Sequence, residues 1–157
     1  MSSVATNSIG CGVSGCILRL AEDAASRGLV IQIATQLEDR RTQHPSLMAA
    51  PVELSPLADA ARRWPRTAFV VLGTTLATPL VTRLAGAGRV YFEISHHEGL
   101  QGISRALQSL PLERVLFGSH APLFVYESSL LKLRESPLTD DQLRAIAFEN
   151  AERILAG

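Results

Sequence analysis

The sequence predicts an α/β fold, alternating β/α units with parallel strands, on three observations. Four short apolar runs rich in β-branched residues recur along the chain, at 29–35, 68–72, 89–95 and 114–118. Between each run and the next lies a stretch with helical spacing or helix-capping signals. A helical crossover returns the chain to the same end of a sheet, so strands separated this way pair in parallel.

The elements follow in order. Ile17, Leu20, Ala21 and Ala24 share one helical face, and Gly28 is the expected stop. Residues 29–35 form a nearly continuous apolar run, the pattern of a strand covered on both sides. After a polar loop over 36–45, Ser55 reads as an N-cap with Pro56 in the first helical position, and Leu57, Ala58 and Ala61 fall on the buried face. Gly73 ends the second strand. Thr78 and Pro79 repeat the cap-plus-proline signal and open a helix that stops near Gly86 and Gly88. Helix over 99–110, strand over 114–118 and helix through Leu130 and Leu133 complete the alternation. Thr139 and Gln142 are spaced as a capping box for the last helix, whose inner face is marked by Leu143, Ile146, Ala147, Asn150 and Ile154.

Composition bounds the function. A length of 157 residues suits one compact domain, and 46% apolar residues can bury a core. Fifteen basic residues balance fifteen acidic ones, so no net field draws the chain to nucleic acid or to an anionic membrane. No apolar run approaches the roughly 18–20 residues that span a bilayer. Residues 1–15 lack a basic start followed by an apolar stretch, so a cytoplasmic protein is expected. That Ser/Gly-rich opening is expected to be flexible, ahead of a single domain over 16–157. Cys11 and Cys16 lack paired metal-ligand spacing and read as ordinary reduced thiols. Nothing signals a nucleotide cofactor.

In parallel α/β architectures the loops leaving the carboxyl ends of the strands share one face, and ligands bind there. All four histidines fall in such loops: His44 after the first strand, His96 and His97 after the third, His120 after the fourth. Glu93 lies within an apolar strand, where a buried carboxylate must be paired, hydrogen-bonded or bound to a metal. Tyr91 and Ser95 share its face by the two-residue period, and Arg40 and Arg41 are candidate ion-pair partners. The catalytic candidates are Glu93 and His120, and the candidate metal ligands are Glu93, His96, His97 and His120. Asp39, Arg40, His44, Ser95 and Ser119 are candidate substrate contacts. The bland readings are that His44 belongs to a turn before a proline and that His96 and His97 cap the following helix.

From Gly28 to its end the chain resembles the C-terminal half of the amidohydrolase-related proteins, metal-dependent hydrolases and decarboxylases of the amidohydrolase superfamily. Three stretches carry the resemblance: the first strand with the Gln-Leu-Glu-Asp-Arg-Arg-Thr-Gln-His-Pro that follows it, Val-Tyr-Phe-Glu-Ile-Ser-His, and Arg-Val-Leu-Phe-Gly-Ser-His-Ala-Pro. Asn-Ala-Glu-Arg-Ile-Leu over 150–155 resembles the closing helix of such barrels. The resemblance implies an eight-unit β/α barrel, of which roughly 200–250 residues are needed and only the second half fits here. It implies a divalent metal such as zinc, a small-molecule substrate, and hydrolysis of a C–N or C–O bond or a related decarboxylation. The family's His-x-His pair has no counterpart, Ala34 stands where a strand-end histidine is expected, and Gly73, Thr74 and Thr75 supply none. The family's Gly-Ser-Asp-x-Pro reads Gly118-Ser119-His120-Ala121-Pro122, so His120 holds the aspartate's position.

Three readings compete: a divergent hydrolase, a non-catalytic half-barrel that binds or assembles without a metal centre, and a metal-free lyase or isomerase using Glu93 and His120. All share one constraint. Four β/α units leave two open sheet edges and an apolar inner face, which predicts a homodimer or a complementing N-terminal half-barrel.

Overall fold

The computed structural model describes residues 13–36, 38, 41, 43, 44, 46, 50–76 and 78–156. Helix α1 (Val13–Arg27) leads to β1 (Ile31–Ala34), α2 (Leu57–Arg63), β2 (Phe69–Leu72), α3 (Pro79–Ala85), β3 (Val90–Glu93), α4 (Gly102–Ala106), β4 (Val115–Leu116) and α5 (Tyr126–Glu135). A last helical stretch runs through α6 (Asp140–Arg144), a π-turn (Ala145–Glu149) and α7 (Asn150–Leu155). The four strands form one parallel sheet in the order β1-β2-β3-β4, as the alternation requires.

The two-residue period sorts the strands onto two layers. Ile31, Phe69, Val71, Val90, Phe92 and Val115 point into the main core with the helices after each strand. Val70, Tyr91 and Leu116 point to the other face, where Ala151 and Ile154 of α7 meet them. Two helix starts follow from local chemistry as expected. The Thr78 hydroxyl accepts the Val81 N–H at 3.2 Å with proline at the first position, and Thr139 and Gln142 form the reciprocal box at 3.2 and 3.0 Å. Ser55 is different. Its backbone N–H and hydroxyl both donate to Glu53, at 2.8 and 2.6 Å, and Pro56 takes the cap position without a side-chain bond.

The last helix departs from the sequence reading in register and in role. Ala145, Ile146, Asn150 and Ile154 are buried while Leu143 and Ala147 are exposed. The reason is the π-turn: the Asn150 N–H bonds the Ala145 carbonyl five residues back, so the apolar stripe slips relative to a 3.6-residue period. The Ile146 carbonyl then accepts the N–H of Phe117 at 2.8 Å, and the Asn150 side-chain amide donates to the carbonyls of Leu112 and Val115 at 2.8 and 2.9 Å. The β4 edge is therefore covered by the chain's own helix, while no strand pairs with the outer edge of β1 among the described residues. The inner face is likewise partly covered, with Val70, Tyr91 and Leu116 at 6–8% exposure.

Candidate metal centre

The site begins with Glu93, the last residue of β3. Its carboxylate is held by three donors: the Gly73 N–H at 2.8 Å, the Ser95 N–H at 2.6 Å and the Ser95 hydroxyl at 2.6 Å. Gly73 stands in the left-handed region, φ 73°, which aims its N–H at Glu93 and leaves no room for a side chain against the Gln36 carbonyl at 3.1 Å. Its own carbonyl accepts the Thr35 hydroxyl at 2.5 Å. A hydrogen-bonded chain thus crosses the carboxyl ends of β1, β2 and β3. Arg41, a candidate partner for Glu93, instead pairs with Glu98 at 2.7 Å on the surface.

Ser95 continues that chain to His96. The hydroxyl proton goes to Glu93, so its contact with His96 Nδ1 at 3.0 Å needs the imidazole as donor. This tautomer leaves the lone pair on Nε2. His120 approaches from the loop after β4, its ring 5.2 Å from that of His96 and edge-on to it. Phe124 packs on both imidazoles, at 4.4 and 5.6 Å between centroids. His120 adopts a φ of 54°, a conformation that disfavours a non-glycine residue by roughly 1–2 kcal/mol. Local strain of this kind persists only where the surroundings hold it.

Ligand atoms of Glu93, His96 and His120 all lie within 4.8 Å of one another. The donor set suits a divalent ion: two imidazoles and a carboxylate match the three-ligand, open-position pattern. Among the described residues, three protein donors occupy three of the roughly four lone-pair sites of the Glu93 carboxylate.

His97 takes another path. It is 8% exposed and its ring lies against Gly102, where an added Cβ would stand 3.0 Å from Nε2. Burial pulls its pKa below the ordinary value, the Gly102 backbone opposes this, and the charges of Lys132 and Arg105 add to it. Of the two adjacent histidines, His96 joins the group. His44 is exposed and bonded to Ser46 at 2.7 Å, apart from the cluster. Ser95, expected as a substrate contact, is 1% exposed and bridges Glu93 to His96. Ser119 is half-buried at the rim, its hydroxyl accepting the Ala121 N–H at 3.4 Å. Asp39 and Arg40 lie outside the described residues.

Two participants escape a reading by strands and loops. Lys132 reaches from α5 to donate to the Ser95 carbonyl and, at 3.5 Å, to that of Ile94. Burial holds its pKa below the usual lysine range, against the opposing pull of Glu93, Glu98 and Glu135. Its signal was a cation on the helical stripe of Ser129, Leu133 and Ser136, all buried. Gly118 is the second: a Cβ there would stand 2.8 Å from the Glu93 Cβ.

Glu93 and His120 also border a groove of about 270 Å³ on the inner face, walled by Val30, Val70, Leu72 and Leu116 and by Ile154 and Leu155 of the last helix. Residues 17–156 match the family model described as amidohydrolase. The chain belongs to the amidohydrolase family. No curated protein matches it in sequence. Among solved structures, an uncharacterized TIM-barrel protein from Bordetella bronchiseptica is similar at 17% identity and TM-score 0.63, covering 93% of this chain and 52% of that one. A 2,6-dihydroxybenzoate decarboxylase from Rhizobium aligns at 12% identity and TM-score 0.67, over 99% of this chain and 62% of that one. A dihydroxybenzoic acid decarboxylase from Polaromonas sp., solved with manganese and 2-nitroresorcinol, aligns at 10% identity and TM-score 0.63, over 88% and 53%. The chain spans about half the length of the structures it matches, and its four β/α units are those of a half-barrel.

Proposed function

We propose that this chain carries part of the catalytic centre of a divalent-metal-dependent enzyme acting on a small molecule, by hydrolysis of a C–N or C–O bond or by decarboxylation of a small aromatic acid. The observation that carries the reading is the convergence of Glu93, His96 and His120 at the carboxyl ends of β3 and β4. Glu93, His96 Nε2 and His120 would hold the ion, zinc or manganese being compatible with the donors. When bound, such an ion supplies Lewis acidity and lowers the pKa of a coordinated water. The chain's own residues do the rest. The Ser95 hydroxyl fixes the His96 tautomer, and the Glu93 carboxylate anchors Ser95. Phe124 shields both imidazoles from bulk water, and the groove beside Glu93 accommodates the apolar body of the substrate. His120, which stands in the aspartate position of the family pattern, would supply the ligand from the β4 side.

The dihydroxybenzoate decarboxylases among the similar structures support including an aromatic acid. The β1 edge supports a complementing partner, a second copy or an N-terminal half-barrel, because no further strand pairs with it among the described residues.

The test is metal content by plasma mass spectrometry after equilibration with zinc or manganese. About one ion per chain is expected, falling below about a tenth of that in His96→Ala and His120→Ala, since losing one of three ligands removes most of the affinity. Unchanged metal content in both variants would eliminate this centre. Light scattering on the same samples addresses assembly, where a clean monomer at micromolar concentration counts against a homodimer.

A further inference from the structure

We propose that the opposite pole of the sheet carries a second binding site, for an organic anion with an oxyanion headgroup and an apolar body. A second cavity lies away from the candidate metal centre. It has a volume of about 390 Å³ and lies where the strands begin, bounded by Gly28, Leu29 and Val30 before β1, Arg66 and Thr67 before β2, and Arg89 before β3. All four strands are parallel, so these amino-terminal ends gather at the pole remote from Glu93, His96 and His120. Its volume falls in the range of small-molecule pockets, about 300–1,000 Å³.

The charge of this cavity is one-sided. Arg66 and Arg89 are the charged residues on its wall, and no carboxylate lies within ion-pair distance of either among the described residues. Arg114, which immediately precedes β4, adds a third guanidinium to the same pole, 5.0 Å above the Tyr91 ring and likewise without an acid partner among the described residues. The chain as a whole is neutral, so the excess is a property of the place and not of the protein. Arg89 is fixed at its root. Its Nη1 donates to the Arg66 carbonyl at 3.0 Å and its Nε reaches the Tyr91 hydroxyl at 3.5 Å. A guanidinium has five N–H donors in a planar fork, so donors of Arg89 remain that make no hydrogen bond among the described residues.

Thr67, 4% exposed, contributes to the wall between Arg66 and Ala68. The rest of the wall, Leu29, Val30, Ala68 and Ile154, is apolar, which suits a hydrocarbon or aryl body and gives no advantage to a free inorganic ion. Phosphate monoesters and carboxylates share this chemistry, and the fork binds either bidentately.

The experiment is calorimetric and NMR titration of the 157-residue chain with phenyl phosphate, benzoate and inorganic phosphate at low ionic strength. Saturable binding of one phenyl phosphate or benzoate per chain is expected, the tighter of the two naming the headgroup, with amide shifts at 66–68 and 89. Losing a charge-assisted pair predicts about tenfold or greater weakening in Arg89→Gln. Arg66→Gln, at an exposed position, gives the same direction of change if Arg89→Gln fails to fold. His120→Ala leaves binding unchanged. Absence of saturable binding, equal affinity for inorganic phosphate, unchanged affinity in both arginine variants, or loss of binding in His120→Ala would each overturn the proposal.

Discussion

Replacing Gly118 by alanine isolates the packing on which the Glu93 carboxylate depends. The backbone at Gly118 has an ordinary negative φ, so alanine brings no conformational strain, only volume. Its Cβ would stand 2.8 Å from the Glu93 Cβ and 3.0 Å from its Cδ, both inside van der Waals contact. The Glu93 Cβ belongs to the sheet and cannot withdraw without moving β3. The carboxylate can yield only by leaving the donors of Gly73 and Ser95. Hydrogen bonds to a charged group contribute about 1.5–3 kcal/mol each, and overpacking alone costs about 1–3 kcal/mol. Losing two bonds gives a loss of about 3–6 kcal/mol, a large share of a domain's total of about 5–15 kcal/mol. Urea unfolding followed by circular dichroism measures the loss, and hydrogen exchange at the Gly73 and Ser95 amides locates it. A change under about 0.5 kcal/mol with both amides still protected would refute the reasoning.

Two further outcomes follow from single contacts. Asn150→Asp keeps the shape but removes both donors to the Leu112 and Val115 carbonyls and sets a negative charge against them, so equilibrium unfolding should show a loss of roughly 3 kcal/mol; wild-type stability would mean that the β4 edge is held some other way. His97 titrates below its ordinary value of 6.5 because it is buried, so the unfolded chain takes up its proton first. Stability contributed by neutral His97 is complete above pH 6.5 and is lost as the pH falls through its lowered folded value. A pH series of melting temperatures should therefore be shallower below pH 6.5 for His97→Asn than for the wild type, and identical slopes would contradict the assignment.

Local chemistry in the chain was enough to specify the alternation, the parallel sheet, the cap at Thr78 and the box at Thr139, because each depends on residues a few positions apart. It also specified that His96, His120 and Glu93 would leave the same pole, since strand direction alone fixes that. Tertiary structure decided everything that required two separate segments to meet. Which of His96 and His97 faces Glu93 turns on where Gly102 packs. Glu93 is satisfied by Gly73 and Ser95, with no arginine paired to it among the described residues, and that depended on the left-handed turn at Gly73. The π-turn that shifts the last helix and lends the Ile146 carbonyl to Phe117 has no periodic signature in the sequence, because its return comes from an edge strand about thirty residues away. The arginines at the starting ends of the strands, without an acid partner among the described residues, were equally invisible one by one; only a sheet that stacks them side by side turns separate residues into a shared field.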